Sequence, residues 1–186
     1  MYYRKKVFYL KGLTKKIYTD TTFINIINDI LDNEMVKKMR NYRQHNTTNC
    51  YDHCLTASYY CYKICKKFHL DYISCSRAAM LHDLFLYDWR KRENERKGFH
   101  AFTHPLTAYK NASNLFKLNN KEKDIILKHM WPVTIIPPKY IESYILTLVD
   151  KYCACAETFE NFNIKLYTKK AFRYTYVFLC LLFINI

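Results

Sequence analysis

The chain has 186 residues, of which half are apolar and 17% are aromatic, and its 30 lysines and arginines against 16 acidic residues give a formal net charge of +14. This composition excludes an intrinsically disordered chain, because its apolar surface can offset the entropy lost on ordering, and the length suits one domain. Two glycines and four prolines are too few for the many tight turns of a β-sandwich. We therefore expect an all-α fold, a single-domain helical bundle.

Capping residues and hydrophobic periodicity predict six helices. In chain order they run from the cap at Asp20–Thr22 to about Met39, from Cys50 to Phe68, from Asp71–Ser74 to about Trp89, from the cap at Thr103 to Leu118, from Lys121 to Met130, and from Pro138 to about Phe159. Pro105 restricts the residue before it, which predicts His104 at a helix boundary and His100 in the preceding loop. We divide the chain into a basic segment with the first helix (1–40), a core (41–160), and a basic, then apolar, C-terminal segment that packs on the core (161–186).

Neither end of the chain predicts a membrane span. The apolar run Val7–Leu10 is interrupted at once by Lys11, and the apolar run Tyr174–Ile184 is well short of the ~20 residues that a spanning helix needs. Eight cysteines in a chain of this size fit reduced thiols, so we expect a cytoplasmic protein. We expect the run Tyr174–Ile184 to be a packed terminal helix or strand, with a tail that touches a membrane as the alternative. If the run is exposed, a homodimer interface is its expected role.

Most of the positive charge lies at the two ends. Residues 1–19 carry six lysines and arginines, and residues 161–186 carry four, with no acidic residue in either segment. A basic surface can attract nucleic acid or anionic lipid. However, no RNA-binding motif is present, and 22 lysines against 8 arginines favour little planar recognition of bases or phosphates. We therefore expect no nucleic-acid partner.

Six histidines and aspartates occupy selected places on the predicted helices. They are His53 near the start of the second helix, the pair His82 and Asp83 within the third, His104 at the start of the fourth, His129 at the end of the fifth, and Asp150 in the middle of the sixth. Apolar residues flank them at helical spacing, which predicts burial. Each residue alone is most simply a satisfied polar residue of the core. Together they suit a divalent-metal site assembled from several helices.

The same ordered set resembles the HD-domain superfamily of metal-dependent phosphohydrolases, in the branch with two additional histidines. The strings Tyr51–Cys54, Leu81–Arg90, His129–Pro132 and Val149–Tyr152 are similar to a group of small bacterial HD hydrolases, over about residues 42–157. The resemblance implies two divalent ions, the first held by His53, His82, Asp83 and Asp150, and the second by Asp83, His104 and His129. Imidazole and carboxylate ligands suit Fe or Mn, our first choices, and Zn, Co or Ni.

The resemblance also implies an activity, hydrolysis of a phosphate ester or anhydride by a metal-activated hydroxide. The substrate is expected to be a phosphorylated small molecule, a nucleotide or dinucleotide. Asp83 is the central catalytic candidate, and Lys151 is a candidate for neutralising charge that develops on the phosphoryl oxygens. The alternative is a non-catalytic HD scaffold, serving as a nucleotide sensor or as a basic nucleic-acid-binding module.

Four further residues are candidates for substrate binding. Arg43 and His45 precede the second helix, where a guanidinium could meet a phosphate, although a solvated loop is an equal alternative. Trp89 and Trp131 follow the predicted ligands and are candidates for the pocket wall, with packing as the alternative.

The cysteines offer a rival metal site, because Cys50, Cys54, Cys61 and Cys65 share one helical stripe. Fifteen residues of helix separate its ends by ~22 Å, which excludes one zinc ion held by all four sulfurs. We predict that they pack in the core, as do Cys153 and Cys155.

Overall fold

The computed structural model describes residues 13–44, 48–91 and 98–159. Its helices are α1 (13–19), α2 (Thr21–Asp32), α3 (Glu34–Lys37), a 3-10 helix (Lys38–Asn41), α4 (Cys50–Lys67), α5 (Tyr72–Leu81), α6 (His100–Leu115), α7 (Asn120–Lys128) and α8 (Ile141–Phe159). Within these ranges no β-sheet forms, and Arg43 and Asn49 make one isolated bridge. The predicted all-α class is confirmed. His45 and the run Tyr174–Ile184 lie outside the described residues.

The core forms around α4, which makes its most extensive contact with α5 and also packs against α8. The stripe predicted on α4 is buried, with Cys50, Cys54, Ala57, Cys61 and Cys65 at 0–1% exposure. These small side chains allow the close approach of α5, whose Cys75, Ala78 and Ala79 are also fully buried. None of the helices in the described part of the chain is long and apolar enough to cross a membrane.

The first predicted helix is interrupted at Asn33, so the prediction of one helix reaching Met39 was wrong. The side-chain oxygen of Asn33 accepts hydrogen bonds from the N–H groups of Met35 at 2.9 Å and Val36 at 3.3 Å. Asn33 therefore ends α2 and caps α3, because asparagine satisfies the N–H groups that a helix start leaves free.

The third predicted helix ends at Leu81 and not at Trp89. His82 is its C-cap residue, Asp83 lies beyond it, and Leu86 adopts a left-handed backbone with φ 55°. The prediction failed because Leu84 and Phe85 continue the apolar run, yet they are buried without being helical. As a result, His82 and Asp83 lie at a helix end and not within a helix.

The fourth helix begins at His100 and contains Pro105, so three predictions were wrong: the cap at Thr103, the helix boundary at His104 and the loop position of His100. Proline removes one main-chain hydrogen bond, and the two side chains that precede it in the chain bond to carbonyls at the start of the helix. Thr103 Oγ1 donates to Phe99 O at 3.1 Å, and His104 Nδ1 lies 2.8 Å from His100 O. The predicted fifth and sixth helices correspond to α7 and α8.

Candidate metal centre

Six buried side chains from five helical elements converge on one point. They are His53 on α4, His82 and Asp83 at the end of α5, His104 on α6, His129 at the C-cap of α7, and Asp150 on α8. Their exposed fractions range from 0% for His53 and His82 to 9% for Asp150. The structure thus brings together all six predicted ligands, and trios of them could hold a metal ion.

One half of the cluster, which we name the His53 side, contains His53, His82 and Asp150. His53 Nε2 lies 3.0 Å from Asp150 Oδ1, and His82 Nε2 lies 3.6 Å from the same oxygen. Asp83 Oδ2 lies 3.5 Å from His82 Nε2. Two imidazole nitrogens therefore face two carboxylates on this side.

The other half, the His104 side, contains His104 and His129. Their Nε2 atoms are 2.9 Å apart, and Asp83 Oδ1 lies 3.3 Å from the first and 3.6 Å from the second. Asp83 therefore directs one carboxylate oxygen to each side.

All four imidazoles are oriented in the same sense by hydrogen bonds at Nδ1. The partners are Glu157 Oε1 for His53 at 3.0 Å, Ala79 O for His82 at 2.7 Å, His100 O for His104 at 2.8 Å, and Ile126 O for His129 at 2.8 Å. A carbonyl oxygen only accepts, so Nδ1 carries the hydrogen in the three rings that bond to carbonyls, and Nε2 is left facing the cluster. This arrangement is usual for histidines that bind metals.

The residues fit a divalent cation on two counts. First, when Nδ1 carries the hydrogen in neutral His104 and His129, two lone pairs face each other at 2.9 Å and require a cation or a proton between them. Second, His82 Nε2 and Asp83 Oδ1 are buried and have no hydrogen-bond partner among the described residues. Buried polar atoms without partners destabilise a fold, whereas a bound cation would satisfy both.

The protonation of the cluster follows its charge distribution. Burial alone would lower the pKa of His53, but hydrogen bonds to Asp150 and Glu157 raise that pKa well above its ordinary value. Burial opposes ionisation of Asp150, yet the facing imidazoles lower its pKa. Burial and the neighbouring His104 lower the pKa of His129 to about 3. Protons are therefore held on the His53 side, at nitrogens for which a metal ion would compete.

Two thiols lie behind the centre. Cys50 Sγ donates to the main-chain oxygen of Asp83 at 3.1 Å, and Cys54 Sγ lies 3.6 Å from His82 Nδ1. The two sulfurs and a carboxylate oxygen of Asp83 lie close enough together that they could hold a metal ion. Burial raises the pKa of both thiols, so neither is the thiolate that a metal prefers. Burial of the α4 cysteines confirms the packing prediction, but Cys155 is exposed, contrary to it.

A cavity of about 240 Å³ opens onto the His104 side. It is lined by Gln44, Asp83, Trp89, His100, Ala101, His104, His129, Met130, Asp150, Lys151 and Ala154. Lys151 Nζ donates to the main-chain oxygens of His129 and Thr147, both at 3.3 Å, which holds its ammonium at the cavity wall. Burial lowers the pKa of Lys151.

The four predicted substrate-binding residues differ in where the structure places them. Trp89 lines the cavity, where its ring stacks on His100 with centroids 5.5 Å apart and an angle of 15°. The side chain of Arg43 is exposed and does not line it, and Trp131 packs edge-on against Tyr144 instead. His45 lies outside the described residues.

Sequence reasoning missed Gln44 and Glu157. Glu157 follows Asp150 by seven residues, or two helical turns, so the shared face of α8 was a usable signal. Gln44 donates through Nε2 to Asp83 Oδ2, and no periodic pattern marks it because it lies between the 3-10 helix and α4.

No protein-family model, curated protein or solved structure matches the chain significantly. The fold and the buried histidine–aspartate cluster, compatible with an HD-like site, therefore stand on the geometry described above.

Proposed function

We propose that the chain is a divalent-metal-dependent phosphohydrolase of the HD type, which cleaves a phosphate ester or anhydride of a nucleotide or dinucleotide. The observation that carries this proposal is the position of Asp83. One carboxylate directs separate oxygens to the two sides, Oδ1 to the imidazole nitrogens of His104 and His129 and Oδ2 to that of His82. A ligand shared in this way is typical of two-metal hydrolytic sites.

The six clustered residues would hold two ions, for which Fe or Mn is our first choice. His53, His82 and Asp150 would hold one ion, His104 and His129 the other, and Asp83 would contribute to both. Bound ions of this kind lower the pKa of water and neutralise charge on a phosphoryl group. The protein orients the ligands through their Nδ1 hydrogen bonds and keeps the site buried, which strengthens every charge interaction in it.

The positions of Lys151 and Trp89 favour a substrate that has both a phosphate group and an aromatic base. The Lys151 ammonium lies in the wall of the same cavity as Asp83, where it would neutralise charge on phosphoryl oxygens. The indole of Trp89, stacked on His100, gives the cavity a flat aromatic wall of the kind on which a nucleobase stacks.

The first test is the metal content per chain, measured by elemental analysis of protein purified without oxygen, chelator or added metal. We expect about two ions in the native chain and about one in His129→Ala, because that substitution removes one of the two imidazoles of the His104 side. His69→Asn is the matched control, since His69 is exposed, lies outside the cluster and has a left-handed backbone that asparagine tolerates. It should retain both ions.

Hydrolysis is then measured with dinucleoside and cyclic phosphates, with and without the metal found in the native protein. Activity that requires the metal and is lost in His129→Ala supports the proposal. A native chain that binds no ion, even after reconstitution under reducing conditions, contradicts it.

A further inference from the structure

Gln44 follows the 3-10 helix and precedes α4 in the chain, and hydrogen bonds fix its main chain. Its N–H donates to Thr48 O at 2.9 Å, while the preceding carbonyl, that of Arg43, accepts from Trp89 Nε1 at 3.2 Å. The side chain is only 8% exposed and lines the cavity beside Asp83. A buried side chain on a fixed main chain has few available orientations.

The amide nitrogen of Gln44 holds the shared carboxylate. Its Nε2 donates to Asp83 Oδ2, the oxygen that faces His82. A carboxylate held at one oxygen cannot swing both oxygens towards a single ion. The His104 side depends on this restraint, because Asp83 Oδ1 is the carboxylate oxygen that lies against both of its imidazoles.

The amide oxygen of Gln44 has no hydrogen-bond partner in the described part of the chain, although it is buried at the cavity. An amide oxygen only accepts hydrogen bonds. The oxygens of an ionised phosphoryl group are also acceptors, so they would be repelled from it. The complementary group is an O–H donor small enough to share the cavity with a phosphoryl group, namely water.

We infer that Gln44 is a positioning residue with two functions. Its N–H keeps Asp83 shared between the two sides, and its carbonyl accepts a hydrogen bond from the water that attacks the phosphoryl group. This inference rests on the proposed function and adds to it the residue that aligns the nucleophile.

Metal binding provides a test that does not depend on activity. Metal-free native protein, Gln44→Met and Gln44→Asn are titrated with Co²⁺, and binding is followed by the absorption of the bound ion. Methionine keeps the length of the side chain without its hydrogen bonds, and asparagine withdraws the amide by one methylene. In both variants we expect the weaker dissociation constant to rise by about 10–100-fold, as for other partners that orient ligands, while the tighter one is unchanged.

Asn111→Leu is the matched control. Asn111 also uses a side-chain amide, donating through Nδ2 to Leu84 O at 2.7 Å, and no hydrogen bond or ion pair between the described residues joins it to a predicted ligand. Both Co²⁺ dissociation constants should remain native in this variant. Circular dichroism and thermal melting of each variant establish that the chain is folded.

Kinetics at saturating metal test the second function. With bis(4-nitrophenyl) phosphate as the probe, Gln44→Met should lower kcat by about tenfold or more with an unchanged KM, because misaligned water slows the reaction without weakening substrate binding. A higher KM with native kcat would overturn the assignment of the carbonyl to water.

Native dissociation constants in both folded variants would overturn the role of Gln44 in holding Asp83. If the native protein still binds two ions, that result leaves the proposed function intact. Native protein that binds no Co²⁺ would contradict the proposed function itself.

Discussion

The His53 side and the His104 side each present two imidazole nitrogens, but they differ in the carboxylates that face them. Asp150 and Asp83 both face the His53 side, whereas one oxygen of Asp83 serves the His104 side. The surroundings differ too, because both imidazoles of the His104 side line the cavity, whereas on the His53 side Asp150 lines it and neither imidazole does. The same ligand chemistry is therefore placed in a charged, enclosed setting on one side and in a less charged setting beside the cavity on the other.

Because of this difference, we expect the two sides to differ in metal affinity and in their role towards the substrate. A site with more negative ligands binds a divalent cation more tightly, so the His53 side should hold its ion first. The His104 side, with a lower negative charge and direct access to the cavity, should hold the ion that meets the substrate. Substitutions at single residues can therefore test the difference between the two sides.

The largest effect is expected from Asp83→Asn, which removes the charge that both sides share. Hydrolysis should fall by more than about a thousandfold, well beyond the 10–100-fold typical of an outer partner, and neither ion should bind with native affinity. Metal content and kcat are measured together. Asp88→Asn is the control, since Asp88 bonds Arg90 and lies outside the centre. Native metal content in Asp83→Asn would contradict a shared ligand.

Lys151→Met should act on the His104 side without removing a ligand. We expect kcat to fall by about 100-fold, because the cavity loses the ammonium that would face the phosphoryl oxygens, while two ions remain bound. Lys110→Met, a change at an exposed lysine of α6, should leave kcat native. Loss of metal in Lys151→Met would instead assign this lysine to the support of His129.

Glu157→Gln should act on the His53 side alone. The amide oxygen can still accept from His53 Nδ1, but the negative charge is lost, so the tighter dissociation constant should rise by about tenfold. Competition with a chelator measures that constant. Asp52→Asn changes an exposed carboxylate on α4 that forms an ion pair with Arg40 at 3.7 Å, and it should change neither constant. An effect of Glu157→Gln confined to the weaker site would reverse the assignment of the two sides.

Arg77→Met should alter stability and leave both sides unchanged. Arg77 bonds Asp29 on α2 at 2.6 Å and approaches Glu122 on α7 at 3.3 Å, so it links α5 to two neighbouring helices through groups that are not in the cluster. Its loss should cost about 2 kcal/mol and lower Tm by roughly 4–8 °C. Calorimetry measures Tm and elemental analysis the metal content. A change in metal content would show that the core and the centre are coupled.

The sequence predicted a helix start best where a capping residue precedes an amphipathic stripe, as at Asp20 and α2. It failed at Leu81, because an apolar run is compatible with a buried helix and with a buried turn. The six clustered residues were found through the resemblance, since spacing along the chain does not bring His53 to Asp150. Gln44 was missed because it acts across 39 residues to Asp83, with no periodic pattern to mark it, whereas Glu157, 104 residues from His53, could have been found from its place two turns after Asp150 on α8.

His82 and His129 occupy equivalent places, each one residue beyond the end of its helix. In each case the imidazole bonds to the carbonyl three residues earlier, Ala79 for His82 and Ile126 for His129, one of the carbonyls that a helix end leaves without an N–H partner. The hydrogen bond that finishes the helix is thus the one that aims the ligand. Fraying of α5 or α7 by a single turn would therefore misdirect a nitrogen, so this chain couples the integrity of two helix ends to its capacity for metal.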